Sequence, residues 1–262
     1  MEKIAERFAL VAAVIPCYNE ERTIGTVVKE TRKHADLVIV VSDHSTDNTA
    51  IEALKAGATV IYNTTAFRGV GVTTKIGVDA ALETRANIIV TLDGDGQHDP
   101  AEIPLLVNQM LEKATDIVVG SRKLQWKKMP SYRRLGNKII NFTLNAGTSN
   151  WTSDSMSGFR AYGRHILNLI NFEETGFEYI PEVILKARHL SARIVEVPIN
   201  CFYHSDFAMN SSMRPLEHGL RMVGTIMKWR LILTWAGSPQ SETPPRQVTG
   251  YDIHSHTAHH IP

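Results

Sequence analysis

Two aspartates one residue apart, Asp93 and Asp95, stand in the segment Ile89–Pro100 (IVTLDGDGQHDP), and Gln97 follows two residues later. The run before them, Asn87–Leu92, is nearly all apolar, the pattern of a strand buried on both faces of a parallel sheet. Ligands of such sheets sit just beyond the carboxyl ends of the strands. Two carboxylates placed there repel each other unless a cation lies between them. Oxygen ligands with open positions suit Mg²⁺ or Mn²⁺, which keep several waters and bind substrate phosphates. The segment predicts a metal-bridged diphosphate site with Asp93, Asp95 and Gln97 as its ligands. An acidic turn without further role is the alternative.

A second group of candidates is cationic. From Arg122 to Lys138 there are seven basic residues and no acid: Arg122, Lys123, Lys127, Lys128, Arg133, Arg134 and Lys138. Guanidinium groups match phosphate bidentately, and Asn137 falls one helical turn after Arg133. Trp126 and Met129, set among the lysines, describe either a solvated charged face or a loop that meets an anionic membrane. The stretch Phe67–Gly77 is glycine-rich and precedes a helix. Its backbone N–H groups approach phosphate oxygens, or its glycines serve only close packing. Thr74 breaks the G-x-G-x-x-G spacing, so a dinucleotide fingerprint is not expected. Arg68 is the nearby cation.

The elements that must position these residues follow from periodicity. Strands are expected near 10–15, 37–42, 58–62, 88–92 and 116–120, and helices near 20–33, 48–56, 73–85 and 100–113. Pro100 after Asp99 marks a helix start. This alternation predicts an α/β fold, a mostly parallel central sheet with helices on both faces. The second half predicts helices near 131–146, 163–170 and 178–189, a strand at 193–197 and a last helix near 215–235. From Ser238 the chain turns Ser/Pro/Thr/His-rich, so 238–262 reads as a disordered tail. The expected division is a catalytic domain over 1–214, an amphipathic helix over 215–237, and that tail.

At 262 residues and 43% hydrophobic composition the chain can bury a sizeable core. Its net charge of +1 implies no general affinity for nucleic acid. Cys17 and Cys201 lack metal-ligand spacing and suit a reducing cytosol. Neither a signal peptide nor a spanning helix is expected.

Six segments occur in order: Val14–Glu21, Val40–Thr49, the Asp93 segment, Ile117–Arg122, Ser157–Arg160 and Glu196–Ile199. Together they resemble family 2 of the inverting glycosyltransferases, which have a GT-A fold. Within it they are similar to the polyprenyl-phosphate sugar transferases of the dolichol-phosphate mannosyltransferase kind. The resemblance covers roughly residues 9 to 235. It implies a nucleotide pocket lined by Pro16, Tyr18, Glu20, Asp43, Arg68 and Asp93, a phosphate role for Arg133 and Arg214, and a catalytic role for Asp95, Arg122, Arg134 and Glu182. Asn19 and Asp47 serve the pocket or simply cap helices. His204 and Arg214 fall where the family has a mobile loop. The family pattern Asp-Asp-Gly-Ser is replaced here by Ser42-Asp43-His44-Ser45. The pattern Asn-x-Gly-Lys-Gly is replaced by Phe67-Arg68-Gly69-Val70-Gly71.

The resemblance implies an Mg²⁺- or Mn²⁺-dependent transfer, with inversion, from a nucleotide-sugar donor such as GDP-mannose or a UDP-hexose to a polyprenyl or dolichyl phosphate. A phosphate acceptor is already ionised and needs no strong base, whereas a hydroxyl needs a carboxylate within reach. Asp154, Glu178 and Glu182 match the family's acid only ambiguously, which favours the lipid-phosphate acceptor. Transfer to a sugar hydroxyl of a glycan or glycolipid, or nucleotide-sugar binding with little activity, are the other readings. In the last helix, Leu216, Leu220, Val223, Met227 and Leu231 form one stripe and Met222, Ile226, Trp229 and Leu233 a second. An apolar arc this wide predicts a helix in a membrane interface and a peripheral protein on the cytosolic face. The alternative is packing on the sheet or a partner subunit.

Overall fold

The computed structural model describes residues 9–123, 131–148, 151–202 and 215–236, with only the backbone given for 131–133 and 215–216. The expected tail, Trp126, Lys127, Lys128, Met129, His204 and Arg214 lie outside the described residues. The chain order is β1 (Val11–Cys17), α1 (Ile24–Thr31), β2 (Leu37–Ser42), α2 (Thr49–Lys55), β3 (Thr59–Tyr62), α3 (Val70–Leu82) and β4 (Ile88–Thr91). A 3₁₀ turn at Pro100–Glu102 then leads into α4 (Ile103–Lys113), followed by β5 (Ile117–Ser121) and α5 (Ser131–Asn145). Last come β6 (Arg160–Gly163), α6 (Arg164–Leu169), α7 (Tyr179–His189), β7 (Ile194–Pro198) and α8 (Pro215–Trp235).

The sheet order is β3-β2-β1-β4-β6-β5-β7. β6 runs antiparallel between β4 and β5, and every other pairing is parallel. The α/β architecture with a mostly parallel sheet is therefore as the sequence predicts. β6 was not foreseen. Its four residues, Arg-Ala-Tyr-Gly, carry no alternation, and its strand geometry comes from ladders on both sides.

Strand residues alternate between two cores, as the period of two requires. Ala12, Val14, Ile39, Val41, Ile117 and Val119 face α3, α7 and α8. Val11, Ala13, Ile15, Val38, Val40 and Val118 face α1 and α4. Helices on both faces close the sheet off from water, which explains why its strands read as continuous apolar runs. The order of connection reverses between β1 and β4, and that switch point is where a ligand crevice opens.

Helix α3 begins at Val70 rather than near 73. Pro100 opens the 3₁₀ turn, with the Asp99 carboxylate accepting from the Ala101 N–H at 3.0 Å. The last helix resolves its two stripes differently. Met222, Ile226 and Trp229 are buried in the core, while Leu220, Met227 and Leu231 stay exposed. Arg230, which interrupts the apolar arc, donates to the carbonyls of Thr143 and Ala146 at 3.1 and 2.6 Å, near the C-terminus of α5. Cationic side chains are favoured at helix C-termini. No helix among the described residues is long and apolar enough to cross a membrane.

Candidate active site

The carboxyl ends of β1, β2, β4 and β5 share one edge of the sheet, and the candidate residues collect there. β1 delivers Tyr18, exposed, and Glu20, whose N–H donates to Thr49 Oγ1 at 2.7 Å. Asn19 and Asp47 stitch this loop to the one after β2. The Asn19 side chain accepts from the Thr46 N–H at 2.8 Å, and Asp47 accepts from the N–H groups of Glu21 and Thr49 at 3.2 and 3.0 Å. Both are therefore held as loop staples.

β4 delivers Asp93 and Asp95. Gly158, just before β6, leaves room for Asp93, since a Cβ there would stand 3.2 Å from its carboxylate. Gln97 donates both its N–H and its side-chain amide to Asp95, at 2.9 and 2.6 Å. In this arrangement Gln97 orients Asp95. His98 lies buried behind them, its ring 5.3 Å from that of Phe159 and its Nδ1 3.6 Å from Asp93.

β5 delivers Arg122, which makes a bidentate pair with Asp154 at 2.8 Å for each contact. Burial alone would raise the Asp154 carboxyl, but the charge and hydrogen bonds of Arg122 hold it below the usual range. Asn141, which the sequence reading missed, and Glu196, which it held only as the start of a motif, fix this pair. Glu196 on β7 accepts from the N–H groups of Ser153 and Asp154 at 2.7 and 2.9 Å. Asn141 on α5 donates to the Ser153 carbonyl at 2.7 Å and accepts from the Ser155 N–H at 3.1 Å. The first turn of α5 carries Arg134, half-buried, and the backbone of Arg133.

Two acids of the cleft are raised by burial together with a neighbour's charge. Burial and then the charge of Asp95 push Glu20 up to about 7. Burial and then the charge of Asp93 push Asp95 up to about 6. Desolvation also raises Asp93, against the pull of Arg122. A cluster in which each anion opposes the next is matched to a cation. An open cavity of about 500 Å³ lies at the opposite edge, lined by Ile88, Asp116 and His165 among others. It holds none of these residues.

A sequence model of glycosyl transferase family 2 matches residues 12–170, more than half of the chain. The chain belongs to glycosyl transferase family 2. One relative, the UDP-N-acetylglucosamine–dolichyl-phosphate N-acetylglucosaminyltransferase of Methanococcus voltae, is 31% identical over 74% of this chain and 86% of its own. The undecaprenyl-phosphate mannosyltransferase of Micrococcus luteus is 26% identical, covering 87% and 96%. Among solved structures, glucosyl-3-phosphoglycerate synthase from Mycobacterium tuberculosis, in complex with Mn²⁺, UDP and phosphoglyceric acid, superposes with a TM-score of 0.64. That pair is 21% identical, with 92% and 83% of the chains covered, which establishes a shared GT-A fold.

For a family 2 glycosyltransferase, the donor set at Asp93 and Asp95 fits a hard divalent ion. It is all carboxylate oxygen, at the ligand edge of the sheet, and destabilised by its own charge. Other expected roles meet a different geometry. Both carboxylate oxygens of Asp43 are occupied, Oδ1 by Asn63 Nδ2 at 2.7 Å and Oδ2 by the Gly69 N–H at 2.8 Å. The N–H groups of the loop's glycines are already taken, that of Gly69 by Asp43. Those of Gly71 and Val72 both donate to the Thr175 carbonyl, at 2.8 and 3.2 Å. A Cβ on Gly71 would lie 2.2 Å from the Glu174 carbonyl, so this glycine serves close packing. Arg68, in the same loop, is exposed. Glu182 is fully buried, accepting from the N–H groups of Glu173 and Glu174 at 2.8 and 2.9 Å and from Lys186 at 2.6 Å. The arrangement makes it an anchor of the loop before α7.

Proposed function

We propose that this glycosyltransferase moves a sugar, with inversion, from a nucleoside-diphosphate sugar to a polyprenyl phosphate at the cytosolic face of a membrane. The observation that carries the reading is the crowding of Glu20, Asp93 and Asp95 opposite Arg122 at the switch point of the sheet. Asp93 and Asp95 would hold Mg²⁺ or Mn²⁺, which when bound neutralises charge on a leaving diphosphate. Arg134 and Arg133, at the start of α5, and Arg214 supply further positive charge to that leaving group. Tyr18 and Glu20 flank the nucleoside, and Arg68 reaches it from the loop before α3.

The acceptor is inferred from what the acids are doing. Each of the three ambiguous candidates for a general base is held in an ion pair. Asp154 is bound by Arg122 at 2.8 Å, Glu182 by Lys186 at 2.6 Å, and Glu178 by Arg221 at 2.9 Å. A hydroxyl acceptor needs a carboxylate free to take its proton, and a phosphate monoester does not. The two named relatives, which act on dolichyl and undecaprenyl phosphates, agree in acceptor class.

Two neighbouring helices support the membrane part of the reading. α8 leaves Leu220, Met227, Leu231 and Trp235 exposed, and α5 leaves Leu135, Ile139 and Phe142 exposed. Apolar stripes on the helix that also carries Arg134 and Lys138, and on its neighbour, suit an anionic lipid surface. A thermal-shift screen of GDP- and UDP-sugars with and without Mn²⁺ tests donor binding. Stabilisation by one nucleotide sugar only when Mn²⁺ is present is the expected result. Flotation with anionic liposomes, weakening with salt, tests the surface. Protein that stays unbound at low salt would remove the membrane claim.

A further inference from the structure

We infer that Glu174 is a positioning residue for donor binding, because it ties the C-terminal amphipathic helix to the glycine-rich loop that carries Arg68. The inference rests on the donor-site reading above and goes beyond it, since it makes α8 a working part of that site.

The chain of contacts is short. On α8, Lys228 Nζ and Trp229 Nε1 both donate to the same Glu174 oxygen, at 2.8 and 2.9 Å. Trp229 is buried, and Lys186 Nζ sits 4.0 Å from its ring centroid. The next residue along, Thr175, accepts through its carbonyl from the N–H groups of Gly71 and Val72. Those N–H groups belong to the first turn of α3, where a helix has donors without intrahelical partners. Across the loop, the Gly69 N–H is held by Asp43, and Asn63 Nδ2 binds the Phe67 carbonyl at 2.8 Å. The segment Phe67–Val72 is thus clamped from two sides. One clamp belongs to the sheet edge, and the other hangs on α8 through Glu174 and Thr175.

The two clamps have different dependencies. Asp43 and Asn63 stand at the carboxyl ends of β2 and β3 and are fixed by the sheet. The Glu174–Thr175 peptide belongs to a loop, fixed by the Glu174 N–H bond to Glu182 and by the side-chain bonds to α8. Loss of the Glu174 carboxylate removes both α8 bonds at once and frees the Thr175 carbonyl to shift. Arg68 and the start of α3 then lose half of their support, while the core contacts of Met222, Ile226 and Trp229 remain.

The test uses the full chain and calorimetric titration of UDP and of GDP in the presence of Mn²⁺. Glu174→Ala is expected to weaken the bound nucleotide roughly tenfold, on the scale of measured coupling through packed networks. Glu174→Gln, whose amide oxygen still accepts from Lys228 and Trp229, should stay within about twofold of wild type. In turnover, Glu174→Ala should raise the donor KM and leave the acceptor KM unchanged, whereas simple loss of folded protein would lower the apparent kcat at constant KM. Trp229→Phe keeps an aromatic ring, though a smaller one, and removes one donor, so a smaller rise in donor Kd is expected. It decides the matter should Glu174→Ala fail to fold. A wild-type protein that binds nucleotide beside variants with unchanged donor Kd overturns this inference alone. A wild-type protein that binds neither nucleotide overturns the functional reading and this inference with it.

Discussion

Among the described residues, two groups of three acids are built on opposite principles. At the sheet edge, the charges of Asp95 and Asp93 add to the burial penalty of Glu20, and that of Asp93 adds to the penalty of Asp95. In α7 and the loop before it, Glu173, Glu174 and Glu182 meet Lys186, Lys228, the Trp229 N–H and two backbone N–H groups. There the neighbours oppose the burial penalty: Glu174 is held below the usual carboxylate range, and Glu182, though still raised by burial, is pulled down by Lys186 and two backbone N–H groups. The first cluster is the one proposed to take a cation, and the second already holds its cations. Acid count alone does not distinguish a ligand site from a structural joint; the sign of the neighbouring charges does.

Breaking the joint should cost the most. Lys186→Met leaves Glu182 buried without its cation, which is expected to lower stability by about 3–5 kcal/mol. Denaturant unfolding checks this, and an unchanged midpoint would mean that the buried pair is not what secures the loop. In the cleft the same kind of change should act in the other direction. Asp95→Asn removes a repelling charge, so the metal-free protein should melt no lower than wild type. Turnover should nevertheless fall by about 4 kcal/mol in transition-state stabilisation, the upper end for losing one preorganised electrostatic group. Metal-dependent nucleotide binding that survived Asp95→Asn would contradict the assignment.

A smaller loss is expected at the start of α5. Arg134→Ala, or Arg133→Ala if that side chain is the one presented, should cost about 2–4 kcal/mol in kcat/KM. Lys127→Ala and Lys128→Ala should alter only liposome binding. Equal and small kinetic effects from all four would remove the phosphate clamp.

The last prediction is a pH dependence. Glu20 and Asp95 have folded values raised above their ordinary 4.5 and 3.8, to about 7 and about 6. A group raised in the folded state contributes stability below its unfolded value and loses it as pH rises through the folded one. In chelator the melting temperature should therefore fall between about pH 4 and pH 7. Saturating Mn²⁺ should flatten that fall. Identical curves with and without metal would show that the cleft acids do not meet it.

The strands and the carboxylate pair were legible because buried parallel strands write themselves as apolar runs and their ends fall where the runs stop. The glycine-rich loop was legible only as an exception to be explained. A phosphate cradle and close packing both require Gly71, and only the position of Thr175 separates them. Glu196 was visible only as the start of a motif and Asn141 not at all, because both act on the site through Ser153–Ser155 rather than directly. The two stripes of α8 could be read, but not which would be buried. Both are apolar, and α5 and α7 decide between them. β6 was missed because four residues without alternation become a strand only between two neighbours.

The central claim is transfer to a lipid phosphate rather than to a hydroxyl. Its most direct measurement is turnover with Mn²⁺ and the nucleotide sugar identified by the donor screen, offered a short polyprenyl phosphate or the matching polyprenol. The account predicts product from the phosphate alone, abolished by chelator and unaffected by the presence of the alcohol. Comparable transfer to the polyprenol or to a glycan hydroxyl, or transfer indifferent to chelator, would contradict it.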